Sequence, residues 1–291
     1  DGDDQYISAS SIPLHIYDIV TFSVWVKRTV ANEPLIIYTN NHLFSRDYND
    51  FNEFYISENG QVVFRTRDYS EIEEINWISD ESIALGEWTH VLLEHQNGND
   101  PEIYINGQST VVTCNGSCNT NKYRESNGTT TFFGRSTGHY SDGNNNNVNT
   151  IIYSYGMLDE LAIFDKDLTD EEIHQLVLYQ LLPDDSDEVL VGYWHFDEAI
   201  GSQVYDSSIN ERHGTNINTS WTNDVPIPGC ALEGASNYYS ESNTFINCLE
   251  NPAGPVWYVS TDGDDYYNDG SEEFPFATIG AALIWSDDSH T

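Results

Sequence analysis

Residues Gly156–Leu176 read Gly-Met-Leu-Asp-Glu-Leu-Ala-Ile-Phe-Asp-Lys-Asp-Leu-Thr-Asp-Glu-Glu-Ile-His-Gln-Leu, a strand that runs directly into a capped helix. Leu158, Leu161, Ile163 and Phe164 supply an apolar, β-prone run. Thr169 precedes Asp170, Glu171 and Glu172, so a hydroxyl N-cap, a glutamate at N3 and an acidic first turn coincide. Ile173, Leu176 and Val177 keep helical spacing, which predicts a single short helix over about Asp170–Gln180.

Upstream of this stretch, short alternating strands are expected at Gln5–Ser8, Thr21–Lys27, Pro34–Tyr38, Glu53–Ile56, Val62–Arg67, Trp88–Glu94, Ile103–Ile105, Thr130–Gly134 and Thr150–Phe164. Turn signals such as Asn59-Gly60 and Asn106-Gly107 separate them, a spacing that indicates an all-β sandwich. Downstream of the helix, Val189–Phe196 is the expected last sandwich strand. Within Phe22–Lys27, period-two alternation places Phe22, Val24 and Val26 on one face. Trp25 falls on the other, more polar face, either as a second core contact between the sheets or as an exposed platform, and a two-layer sandwich favours the core contact.

As an ordered set, these motifs resemble the laminin-G-like, concanavalin-A-type jelly-roll family over roughly residues 1–225. They are Phe22–Lys27, Gly86-Glu87-Trp88-Thr89-His90-Val91, Glu102–Gln108 and the G-hydrophobic-D-E strand followed by an L-T-x-E-E-I helix. The run from Trp194 to Gly214 is similar to that family's W-x-F-D-E-G-x-G…D-S-S-G-N edge, with Ala199-Ile200 and Ile209 where small residues are expected. The resemblance implies a two-sheet antiparallel jelly roll common in secreted lectin and adhesion modules. It further implies a structural Ca²⁺ at the sandwich edge, with Asp3, Asp4, Asp159, Asp206 and Asn210 as candidate ligands.

Composition narrows the partners. Ten Lys and Arg face 48 Asp and Glu, a formal net charge of −38. Such a surface repels nucleic acid and anionic membranes, having few cations to replace phosphate counterions. No apolar run reaches membrane-spanning length, so no membrane insertion is expected. Aromatic residues at 13% argue for a folded core. The four cysteines form two close pairs, Cys114/Cys118 and Cys230/Cys248. The C-x3-C spacing in a polar loop suits a small disulfide better than a zinc knuckle, so two local bridges and a secreted or cell-surface location are expected.

Three domains are expected: the sandwich over 1–225, a disulfide connector over 226–252, and residues 253–291. The connector resembles the GC…NY…C link between modules of bacterial surface proteins. Trp257–Trp285, with Asp-Gly-rich residues 262–270 and Pro275-Phe-Ala-Thr-Ile, resembles the opening of a right-handed parallel β-helix. That domain needs several stacked coils, so the chain reads as part of a longer multidomain protein.

Catalytic signatures are weak. There is no G-x-S-x-G elbow, and His90 and His95 lie on opposite faces of one strand. Along an extended strand, Asp159 and Asp165 would stand about 20 Å apart, and Asp159 and Glu160 would point to opposite faces, so no glycosidase pair emerges. The segment is therefore expected to be noncatalytic. Tyr140, Asp142, Asn144 and Asn145, in a polar loop suited to hydrogen-bonding hydroxyls, are candidate ligand contacts. The leading expectation is an extracellular module that binds carbohydrate, a surface protein, or other domains or copies of its parent protein. The alternatives are an accessory domain of a polysaccharide-degrading β-helix enzyme, or a spacer in a surface filament or layer.

Overall fold

A computed structural model describes residues 4–41, 51–67, 74–116, 118, 130–141, 147–180, 182–183, 186–229, 242–244, 258–265, 270, 274–279 and 281. The chain divides into two compact units, residues 1–168 with 183–225, and residues 169–182 with 226–291.

The first unit is a jelly-roll sandwich. One sheet holds, in spatial order, Val112–Gly116, Glu74–Ser82, Gln61–Arg67, Phe51–Ile56, Leu35–Asn41, Thr130–Phe133, Tyr6–Ser10, Gly214–Ile217 and Gln203–Val204. The other holds Leu190–Trp194, Gly156–Phe164, Ile19–Arg28, Trp88–Gln96, Glu102–Ile105 and Gln108–Thr110. A separate ribbon pairs Arg135–Ser141 with Asn147–Tyr153, and every ladder is antiparallel. The first strand lies between Thr130–Phe133 and Gly214–Ile217, with Tyr6 opposite Ile217.

The core lies between the two sheets, where rings from both faces interlock. Phe22 meets Tyr38 at 5.0 Å and Phe54 at 5.6 Å between centroids, and Phe133 meets Trp194 edge-on at 4.9 Å. The alternation of Phe22, Val24 and Val26 delivers all three to this core. Trp25 is buried too, but on the opposite face, its ring set edge-on to His90 at 5.3 Å. His90 hydrogen-bonds Ser23 through Nε2 at 2.8 Å, and its burial drives the imidazole down to about 3. His95 faces the core between Phe64 and Trp77.

Four strands absent from the sequence expectation complete the large sheet, Glu74–Ser82 and Val112–Gly116 at one end and Gln203–Val204 and Gly214–Ile217 at the other, so the strand expected at Val189–Phe196 is not the last of the sandwich. Ile75 and Trp77 alternate into the core from the first of them, but its charged flanks obscure the pattern. The expected Thr150–Phe164 strand is two strands, Asn147–Tyr153 and Gly156–Phe164, broken at Ser154 and Tyr155. Both of those backbone amides turn aside to bond the carbonyls of Gly134 and Pro34.

Cys114 and Cys118 are bridged, with an S–S distance of 2.07 Å. Cys230 and Cys248 lie outside the described residues. On the chain-entropy estimate so small a loop is worth about 2 kcal/mol. Cys114→Ser should therefore lower the melting temperature of the sandwich by roughly 4–8 °C. Scanning calorimetry of the oxidised protein and the variant checks this, and an unchanged transition would contradict it.

In the second unit, the helix Asp170–Tyr179 carries the full capping box. Thr169 Oγ1 accepts from the Glu172 amide, and Glu172 Oε2 accepts from the Thr169 amide at 2.8 Å. Ile173, Leu176 and Val177 are its buried residues, and Gln180 closes it in the left-handed region at φ 53°. Further along, Val259 and Phe276 form a parallel bridge, and Asp265 accepts from the Thr278 amide and hydroxyl, each at 2.7 Å.

Candidate functional site

The site grows from an irregularity in the strand that decides the fold. Gly156–Phe164 pairs with Ile19–Arg28 on one side, but the register breaks between Asp159, opposite Trp25, and Ala162, opposite Ser23. Two residues thus oppose one, a β-bulge. Glu160 sits in the left-handed region at φ 50°, a conformation costly for a residue with a Cβ, and Asp159 Oδ1 accepts its amide at 3.1 Å. The bulge corrects the expectation that Asp159 and Glu160 diverge to opposite faces. Strand alternation no longer holds there, and both carboxylates act on the same neighbours.

Those neighbours come from the adjacent strand and the turn that follows it. Tyr193 and His195, two apart and on one face, lie with ring centroids 4.1 Å apart and planes tilted by 50°. Tyr193 Oη donates to Glu160, whose Oε2 lies 3.2 Å from His195 Nδ1. Asp197 completes the group, one donor atom from each of Glu160, His195 and Asp197 lying within 4.8 Å of the others. Glu160 and His195 are half-buried and Asp197 is exposed.

The electrostatics follow from this crowding. Asp159 is only 7% exposed, and burial pushes its carboxyl up to about 7, with the charges of Glu160 and Asp197 adding to the effect. Burial likewise raises the Tyr193 phenol, beside the Glu160 charge. The hydrogen bond to Glu160 holds the His195 imidazole above its ordinary value despite partial burial.

Beside this cluster opens a groove of about 630 Å³, lined by His195, Asp197, Glu198, Ile200, Tyr205 and Ser207 among others. Its wall is amphipathic. Ile200 and Tyr205 expose 84% and 55% of their surface, next to carboxylates, an imidazole and hydroxyls. Glu198 Oε1 accepts the Tyr205 amide at 2.7 Å, while its buried Oε2 has no hydrogen-bond partner among the described residues.

The residues expected to share a calcium ion are placed differently. Asp206 accepts the amides of Tyr193, Ser208 and Arg212 and the Ser208 hydroxyl, which ties it into a turn. Asn210 donates to the carbonyls of Leu190 and Val191. Asp4, exposed, accepts from the Tyr153 hydroxyl at 2.8 Å. These contacts do not gather Asp4, Asp206 and Asn210 with Asp159 into one oxygen cradle. Asp3, Asp142, Asn144 and Asn145 lie outside the described residues. Tyr140 is placed by its backbone, opposite Val148 in the two-stranded ribbon.

Sequence reading missed Glu160, Tyr193, His195 and Asp197. Their signal was present in the paired Asp159-Glu160 and in Trp194-His-Phe-Asp-Glu198, but only the Leu161–Trp194 ladder joins them.

A family model described as the concanavalin A-like lectin/glucanases superfamily matches residues 1–174. No curated protein matches the chain. Among solved structures, a Bacteroides ovatus protein proposed to bind carbohydrate is 15% identical with a TM-score of 0.49, over 78% of this chain and 62% of its own. This chain therefore spans less than two thirds of that protein's length. The SAP-like pentraxin of Limulus polyphemus is 15% identical with a TM-score of 0.39, over 61% of this chain and 77% of its own. The CBM40 of the Ruminococcus gnavus IT-sialidase, bound to α2,3-sialyllactose, is 12% identical with a TM-score of 0.44, over 60% and 93%.

Proposed function

Because the chain belongs to the concanavalin A-like lectin/glucanases superfamily through residues 1–174, we propose that its sandwich is a noncatalytic module that binds neutral carbohydrate in the groove beside Tyr205. The observation that carries this reading is the groove's mixed wall. Ile200 and the Tyr205 ring offer apolar area to the C–H face of a sugar, while Glu198, Ser207 and Asp197 offer hydroxyl partners. A cavity of about 630 Å³ suits one or two sugar rings. Asp197 and Glu198, in a chain of net charge −38, disfavour uronic or sulfated sugars by like-charge repulsion. Binding rather than hydrolysis is favoured because Glu160 is engaged by Tyr193 and His195.

An extracellular setting is supported by the Cys114–Cys118 bridge, since such bridges persist in oxidising compartments. Among the described residues no helix is long and apolar enough to cross a membrane. The parallel Val259–Phe276 bridge supports reading the C-terminal residues as the N-terminal cap of a parallel β-helix.

A glycan array is the test. Neutral oligosaccharides should bind with little salt dependence, and Tyr205→Ala should weaken them roughly 10-fold, the value of one aromatic contact. Silence across the array, or equal binding by Tyr205→Ala, would refute the site. Release of reducing sugar from a bound glycan would replace the binding reading with an enzymatic one.

A further inference from the structure

We propose that Glu160, His195 and Asp197 bind one first-row divalent cation of the zinc type, at the inner end of the groove. The donors are one imidazole and two carboxylates whose ligand atoms already lie within 4.8 Å of one another. Zinc bonds of about 2.0–2.2 Å space tetrahedral donors by roughly 3.4 Å, so closure requires a shift on the order of an ångström. Asp197 is exposed and supplies that freedom, and the groove leaves the fourth position to water. The Tyr193 hydroxyl, which donates to Glu160, would orient that ligand from behind.

The composition of the cluster agrees with a cation. Three carboxyl groups, those of Asp159, Glu160 and Asp197, stand against the one imidazole of His195. Asp159 is more than nine-tenths buried. Its Oδ1 accepts the Glu160 amide at 3.1 Å. Glu198 lines the same groove, and among the described residues its buried Oε2 has no hydrogen-bond partner. A buried carboxylate oxygen left in this state is costly unless a cation compensates it.

The donor set selects among cations. Calcium takes six to eight oxygens at about 2.3–2.6 Å, and Asp206 and Asn210, the nearby oxygen groups, are committed to a turn. An imidazole with two carboxylates suits zinc better. This inference goes beyond the carbohydrate reading and does not depend on it.

Metal-stripped protein titrated with Zn²⁺ in a calorimeter, with metal content measured in parallel, tests the site. One Zn²⁺ per chain should bind at tens of micromolar or tighter and raise the melting temperature by several degrees. His195→Ala and Asp197→Asn should each weaken binding at least 10-fold. Asp197 is exposed, so its variant folds whatever becomes of His195→Ala. Co²⁺ should give the visible bands of a nitrogen–oxygen site, and millimolar Ca²⁺ should not displace Zn²⁺. No binding, undiminished binding by Asp197→Asn, or equal competition by Ca²⁺ would overturn the assignment. None of these outcomes alters the array result, so the two readings fail separately.

Discussion

Trp194→Ala should cost the sandwich about 3–5 kcal/mol, the range for truncating a fully buried aromatic. The indole is 0% exposed, edge-on to Phe133 of the facing sheet, and its Nε1 donates to the Arg212 carbonyl at 3.3 Å. Removing it opens a cavity between the sheets and orphans one carbonyl at the same time. Gly192 shows how tightly the ring is held. A Cβ there would lie 2.3 Å from the Trp194 ring, so Gly192→Ala should also destabilise, by about 1–3 kcal/mol. Urea unfolding monitored by circular dichroism measures both, as a fall in midpoint at constant slope. Ile200→Ala, at a residue 84% exposed, is the control and should leave the midpoint within error. A loss below 1 kcal/mol for Trp194→Ala would mean that the ring is not a core element.

The second large effect is a pH-dependent gain from Glu94→Gln. Glu94 is 8% exposed, and burial pushes its carboxyl from 4.5 up to about 7. The Leu168 amide, donating at 2.7 Å, opposes the rise, whereas the charges of Asp167 and Glu102 add to it. An acid whose pKa is raised on folding binds its proton more tightly in the folded state. Its contribution is therefore present at low pH, declines between about pH 4.5 and 7, and stays lost above that. A neutral glutamine can accept from Leu168 and Thr21 without that loss. The variant should thus match the parent near pH 5 and exceed it near pH 8 by roughly 2 kcal/mol, or about 4–8 °C. Melting curves at the two pH values decide the matter. An equal shift at both would show that the residue acts through packing rather than ionisation.

What could be read from the sequence was set by how local each signal is. The capping box at Thr169 and Glu172 lies within four residues and forms as read. The inward face of Phe22, Val24 and Val26 needs only period-two alternation. Trp25 illustrates the limit of that rule, because alternation gives its face but not what covers it. Glu74–Ser82 went unread because its core residues, Ile75 and Trp77, are embedded among Glu, Asn, Ser and Asp. The site was least legible. A single inserted residue at the bulge redirects Glu160, and its partners, Tyr193 and His195, stand more than thirty positions away in the sequence.

The adjacency of the first strand to Gly214–Ile217 has a consequence for synthesis. Tyr6–Ser10 leaves the ribosome about 200 residues before its partner on one edge. At roughly 5–20 residues per second, that is a delay on the order of 10–40 s. Throughout it, the row of amides and carbonyls that will face Gly214–Ile217 is open to any other extended chain. The sandwich can close only once Gly214–Ile217 has emerged, and throughout this interval its first strand is exposed to misassembly.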